Sequence, residues 1–283
     1  MAVTANKIII IAENKINNAI ISLLGDASEV ATLPLSNVQF QDNEEIARIN
    51  STSACILIAW GKKVALNSIS LYRHNLSNTA TIRVRHFLSA DGSGTPHYDS
   101  TVFDAIPKKT LAELEWGIDS YIASAFDDWH IRFSSLHHDN FVSRSTIVDI
   151  VDDNNSDGYI DIARIYAGKR LTPAFNFSYG HGLTWFNNDQ QTRLAGGGMH
   201  TTKSTALRRL HFNMSWLTEA DANEFSKMRR EAGNADDIFI SMFPGVGGTT
   251  ERDRTMACVL VNNSEITNNF HNNSTHDIVA EEV

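Results

Sequence analysis

Apolar and polar positions alternate with a period of two along much of this chain, the spacing of half-buried β-strands. The stretch Cys55–Leu88 shows it best. It predicts three short strands, Cys55–Trp60, Ser68–Tyr72 and Thr81–Phe87. In the last, Ile82 and Val84 alternate with Arg83 and Arg85. Gly61 and the cluster Asn75-Leu76-Ser77-Asn78 supply turn chemistry between them. Further strands are predicted at Tyr98–Ile106, Ser145–Val151, Tyr159–Tyr166, Asp237–Phe243 and Thr255–Val261. One helix is well marked: Thr218 caps Thr218-Glu219-Ala220-Asp221 behind Leu217, Ala222, Phe225 and Met228 share a face, and Gly233 stops it. The class is mainly β, with function expected on loops and surfaces.

These elements predict an extended lead-in over 1–42, a β-sandwich over 43–170, an α+β portion over 171–261, and a flexible, acidic, Asn-rich tail over 262–283. Apolar residues make up 42% of the 283, which suffices for a real core, and no internal repeat stands out. A net charge of −9, with no concentrated basic face, opposes sequence-independent nucleic-acid binding. Ile8–Ala12 is too short to span a bilayer, and Glu13 and Lys15 follow where a signal peptide would stay apolar. No membrane span is expected, and folding in the cytoplasm is. The two cysteines, Cys55 and Cys258, sit in apolar runs and suit small buried hydrophobes.

Among candidate sites, Asp153, Asn155, Asp157, Tyr159 and Asp161, with Gly158 at the sixth position, match the front of a calcium loop. Arg164 stands at the twelfth position where a bidentate Glu is needed, and the flanks pattern as strands. A β-hairpin turn is therefore preferred, and no metal or cofactor is expected. His137 and His138 are adjacent and would point to opposite faces of a strand; His181, His200 and His211 are too widely spaced for a zinc signature. Glu113 with Glu115, or Asp127 with Asp128, could form paired carboxylates beside Trp116 and Trp129. No nucleophile elbow, phosphate loop or dinucleotide fingerprint accompanies them. No catalytic residue is assigned. The triplets Asn75-Leu76-Ser77 and Asn176-Phe177-Ser178 imply nothing without secretion.

Ile56–Lys63, Ile69–Ser77 and Thr79–Arg85, closed by Gly158–Gly168, resemble the discoidin-like (galactose-binding-like) β-sandwich, a jelly-roll. Continued through Pro173, Asn176, Tyr179-Gly180, Trp216-Leu217-Thr218 and Ile238–Ile240, the pattern resembles tail-tip or baseplate structural proteins of long-tailed bacteriophages. The resemblance implies a non-enzymatic virion protein of the tail, assembled in the host cytoplasm. Its partners would be other tail or baseplate proteins, copies of itself and a host-surface glycan. Tyr121–His138 is the expected interaction surface, and His74 and Asn75 are turn formers. Two alternatives remain. A carbohydrate-binding module would use aromatic platforms such as Trp129, and a cell-wall hydrolase would use Glu115 or Asp128.

Overall fold

The computed structural model describes residues 7–127, 129–187, 189–261, 263–270 and 272–283. In chain order the strands are β1 (Ile9–Ile11), β2 (Ile20–Leu24), β3 (Ala47–Ile49), β4 (Ser53–His74), β5 (Thr81–Phe87), β6 (Tyr98–Asp104), β7 (Phe133–Val151) and β8 (Ile160–Gly168). There follow β9 (Gly182–Phe186), β10 (Gln190–Arg193), β11 (Met199–Thr202), β12 (Leu207–Leu217), β13 (Ile238–Ser241), β14 (Thr255–Leu260), β15 (Ile266–Phe270) and β16 (Asn273–Glu282). The helices among the described residues are α1 (Glu219–Ala232) and the short α2 (Gly248–Asp253). The protein is mainly β, its sheets are antiparallel, and α1 is the one long helix among the described residues. Two compact units form: Met1–Thr172 with Ile238–Thr255, and Pro173–Asp237 with Met256–Val283. No described helix is long and apolar enough to cross a membrane.

The first unit is built on one bent sheet of order β3-β8-β4-β7-β5-β6, with β2 also paired to β4. The two strands expected on either side of Gly61 are the single strand β4. Gly61 has φ +69°, and the register with β7 slips between Ala59 and Val64. The glycine therefore marks a bulge that bends the strand without ending its pairing. Along its outer edge, β4 takes β2 at Cys55–Ala59 and β8 at Ser68–His74.

A second layer, β1 paired with β13 through Ile9↔Ser241 and Ile11↔Phe239, closes this sheet into a sandwich. Phe239 of β13 meets Tyr72 of β4, Phe133 of β7 and Tyr166 of β8 at ring separations of 6.3, 6.4 and 5.4 Å. The lead-in is thus not peripheral: Ile8–Ile11 are fully buried. Four consecutive apolar residues suit a short strand covered on both faces. Asn14 reinforces the join, donating to the Ile165 carbonyl (2.8 Å) and accepting from Ala167 N–H (3.0 Å). The sandwich also uses Ile238–Thr255, which a boundary at residue 170 leaves out.

In the second unit β16 pairs with β12, β14 and β15, and β9 extends the sheet beyond β12. The segment expected as a flexible tail therefore contains a strand with neighbours on both edges. Its inward positions are Ser274, His276, Ile278, Ala280 and Glu282. Three of the five are polar, which hides the alternation. Thr218 caps α1 by accepting from Asp221 N–H (3.2 Å), Gly233 (φ +57°) ends it, and Phe225, Met228 and Ala232 are its buried face.

Candidate functional site

The acidic segment 152–161, a loop that runs into the start of β8, joins β7 to β8, which lie on opposite sides of β4. It is a crossover connection, not a hairpin turn. Its oxygens face protein donors. Arg48 donates to Asp161 through Nε and Nη2 at 2.7 and 2.8 Å and lies 3.8 Å from the centroid of the Tyr159 ring. Asn75 donates to Asp157 (2.9 Å) and to the Tyr159 carbonyl (3.0 Å), which also accepts from Asn155. Asp157 N–H in turn donates to Asn155 Oδ1 (2.9 Å), while Asp153 is exposed. Buried Asp152 accepts from Ser77 N–H at 2.8 Å. The loop and the Asn75–Ser77 turn thus clamp one another. No described group of three or more His, Cys, Asp or Glu is placed to hold a metal.

His74 belongs to the same framework. Ser134 Oγ–H donates to the Ala105 carbonyl, so His74 Nε2–H donates to Ser134 Oγ (2.9 Å), and His74 Nδ1 accepts from Leu76 N–H (3.4 Å). Burial, then the Arg132 charge, push this imidazole down to about 3. His137 and His138 point to opposite faces of β7, as strand alternation demands. His137 contacts Ser68 Oγ at 2.7 Å, and His138 meets His86.

The candidate carboxylates serve as braces for the segment after β6. Glu113 accepts from Thr110 N–H and Oγ–H (3.1 and 2.9 Å) and from Thr249 N–H and Oγ–H (2.8 and 2.5 Å). Burial opposes its ionisation, but these donors outweigh it and hold the carboxyl at about 2. That value suits a permanent anion, not a general acid. Asp119 accepts from Glu115 N–H (2.8 Å) and from Lys109 Nζ (3.0 Å), and Asp127 from Ser124 N–H and Asn78 Nδ2 (3.1 and 2.6 Å). Glu115 is exposed; Asp128 lies outside the described residues.

Gly248 makes the Glu113 brace feasible. Its φ is +66°, and an added Cβ would stand 1.9 Å from Glu113 Oε2. Gly248→Ala is expected to cost about 1–3 kcal/mol, read as a lower urea midpoint. Combined with Glu113→Ala, it should cost less than the sum of the two, because the clashing carboxylate is gone.

Held this way, residues 107–127 present large apolar side chains to solvent. Trp116 is 98% exposed, Tyr121 81%, Ile118 78% and Leu111 74%. This surface begins upstream of the expected Tyr121–His138 and overlaps it at Tyr121 and Ile122. Phe126, Ile131 and Phe133 are core residues, and Trp129 is only part-exposed, with Arg252 5.8 Å from its ring centre. At the base of the loop is a cleft of about 620 Å³, lined by Pro107, Lys108, Leu136, His137, Val246 and Glu251 among others. Small-molecule sites span about 300–1,000 Å³. Glu251 fixes one wall by accepting from Gly245 N–H (2.9 Å) and Gly247 N–H (2.7 Å), and burial raises its pKa. Lys108 is paired with Asp104 at 2.6 Å. The result is a preformed cleft, its lysine paired, beside an aromatic loop.

No protein-family model and no curated protein matches this chain. Solved structures similar to it include a fucosidase of Ruminococcus gnavus in complex with fucose, at 14% identity and TM-score 0.37, covering 56% of this chain and 26% of that one. A fucose binding module of Streptococcus pneumoniae aligns at 8% identity and TM-score 0.36, covering 56% of this chain and 98% of its own. A serum fucolectin of striped bass, Morone saxatilis, aligns at 10% identity and TM-score 0.36, covering 56% of this chain and 48% of its own.

Proposed function

We propose that the chain is a non-catalytic recognition protein whose first unit binds glycans through the loop carrying Trp116 and Tyr121. The observation that carries this reading is an almost fully exposed Trp116 on a loop held by Glu113, Asp119 and Asp127. Exposing so much apolar surface is unfavourable unless a ligand covers it. A flat ring offers an apolar face and, in tyrosine and tryptophan, a polar edge, which matches the CH face and hydroxyl rim of a sugar. A rigid mount lowers the ordering cost of binding. Lys108 is neutralised by Asp104, and Glu251 is pinned by backbone N–H groups, so the adjoining cleft suits an uncharged ligand better than a phosphate. Glu113, committed to four donors, supports a binding role over hydrolysis.

Glycan-array screening of the whole chain should find saturable saccharide binding. Trp116→Ala should weaken it at least tenfold without changing the circular dichroism spectrum. Absence of any bound saccharide, or an unaltered Kd in Trp116→Ala, would overturn the proposal. Trp129→Ala is expected to act on stability instead.

The second reading, a tail-tip or baseplate protein assembled in the host cytoplasm, is favoured by aliphatic Leu111, Ile118 and Ile122 on the same loop. Such side chains suit a protein partner, and symmetric copies would multiply weak contacts. Sedimentation at micromolar concentration distinguishes the two: multimers abolished by Ile118→Glu, with no saccharide bound, support assembly.

A further inference from the structure

We infer that His86 and His138 form an acid-released latch that holds edge strand β6 and the bend of β7, a regulatory device separate from glycan binding. The direction of every hydrogen bond in it follows from its ends. The Asp139 carbonyl can only accept, so His138 Nδ1 carries the proton of their 2.6 Å contact. His138 Nε2 is then a bare acceptor, and His86 must donate to it from Nε2 at 3.1 Å. His86 Nδ1 is left to accept from Thr146 Oγ–H at 2.8 Å, and Thr146 Oγ accepts from Trp60 Nε1–H at 3.0 Å. Four side chains from β4, β5 and both halves of β7 are thus joined in one sequence, which leaves no place for a second proton on His138.

A proton on His138 Nε2 sets two N–H groups against each other at 3.1 Å, a conflict that no hydroxyl rotation relieves. The surroundings give mixed help. Burial opposes a positive charge on either ring; Arg170 also opposes one on His138, His138 and then His97 oppose one on His86, and Asp139 favours one on His138. Asp99 on β6 is already taken by Arg83 at 2.9 Å. Tyr98 of β6 stacks on both rings, at 5.3 Å from His86 and 4.4 Å from His138. Strand β6 pairs with β5 alone in the sheet order and stands at its edge, so forcing the imidazoles apart removes what Tyr98 packs on and frees β6 first.

Amide hydrogen exchange of the full chain between pH 7 and 4.5, corrected for the intrinsic pH dependence of exchange, tests this. Protection of Tyr98–Asp104 should fall roughly 50-fold between pH 6.5 and 4.5 for one proton taken up on opening, and at every pH Tyr98–Asp104 should exchange faster than Ile160–Gly168, which opens only with the whole unit. His138→Gln, whose Oε1 can accept from His86, should lose most of that fall. A pH-independent β6, or an undiminished fall in His138→Gln, would overturn the latch. Should His138→Gln not fold, imidazole nitrogen shifts of the wild-type chain decide it. Expected are an Nε2–H tautomer for His86, an Nδ1–H tautomer for His138 and a single shared protonation step. Independent titration of the two rings near 6.5 would sink the idea.

Discussion

Glu282→Gln is expected to destabilise the second unit by about 3–5 kcal/mol, the cost of breaking a buried ion pair from one side. Arg208 and Glu282 side chains are 1% and 0% exposed. Glu282 accepts from Arg208 Nε at 3.0 Å and from the Arg208 backbone N–H at 3.2 Å, and it also meets the Nη2 end of the guanidinium. The amide keeps the shape of the carboxylate and removes its charge, so a buried guanidinium faces a neutral group. The pair joins β12 to the end of β16, so its loss should free the C-terminal strand. Exchanging both partners for hydrophobes, Arg208→Met with Glu282→Leu, should restore stability to within about 1 kcal/mol of wild type, because no charge is then left buried. Urea unfolding of the two variants checks this. A single-variant cost below about 1 kcal/mol would show that the pair behaves like a surface contact.

That pair also shows why β16 escaped detection by pattern. Serine, histidine and glutamate hold three of its five inward positions, and two of them meet partners distant in sequence, Arg229 at His276 and Arg208 at Glu282. Where inward positions are apolar, the pattern is legible: Ile82 and Val84 alternate with Arg83 and Arg85 as β5 requires, and Leu217-Thr218 with Gly233 bracket α1. Strand β1 was visible only as a short apolar run, because its partner β13 belongs to the far end of the chain. Gly61 signals a departure from regular strand, but a bulge and a turn ask the same thing of a glycine. The exposed aromatic loop starts ahead of the expected Tyr121–His138 for a related reason. Aromatic rings serve cores and binding surfaces alike, and the difference between Trp116 and Phe133 is set by tertiary packing. The role of Glu113 depends on Thr249 and Gly248, a contact that nothing local announces.

Acidification from pH 7 to 5 is expected to cost the first unit about 4 kcal/mol through His74 and His137. Burial, followed by Arg132 for His74 and by Arg170 and His138 for His137, pushes each imidazole from its ordinary 6.5 to about 3. The folded rings are therefore neutral at pH 5, while the unfolded chain takes up a proton on each. Stability is fully present above 6.5, declines as pH falls below it, and stops declining near 3, where the folded rings protonate too. At pH 5 each group is 1.5 units below its unfolded value, equivalent to about 2 kcal/mol. The physical cause is visible at His74, whose Nδ1 accepts from Leu76 N–H; a proton there would set that N–H against another. The window from 7 to 5 isolates the histidines, since Glu113, held at about 2, begins to contribute only below its ordinary 4.5. Urea midpoints at the two pH values measure the loss. Equal stability at pH 7 and 5 contradicts the assignment. So does a His74→Gln chain that loses as much on acidification as wild type, because half of the expected change between these two rings resides in that one.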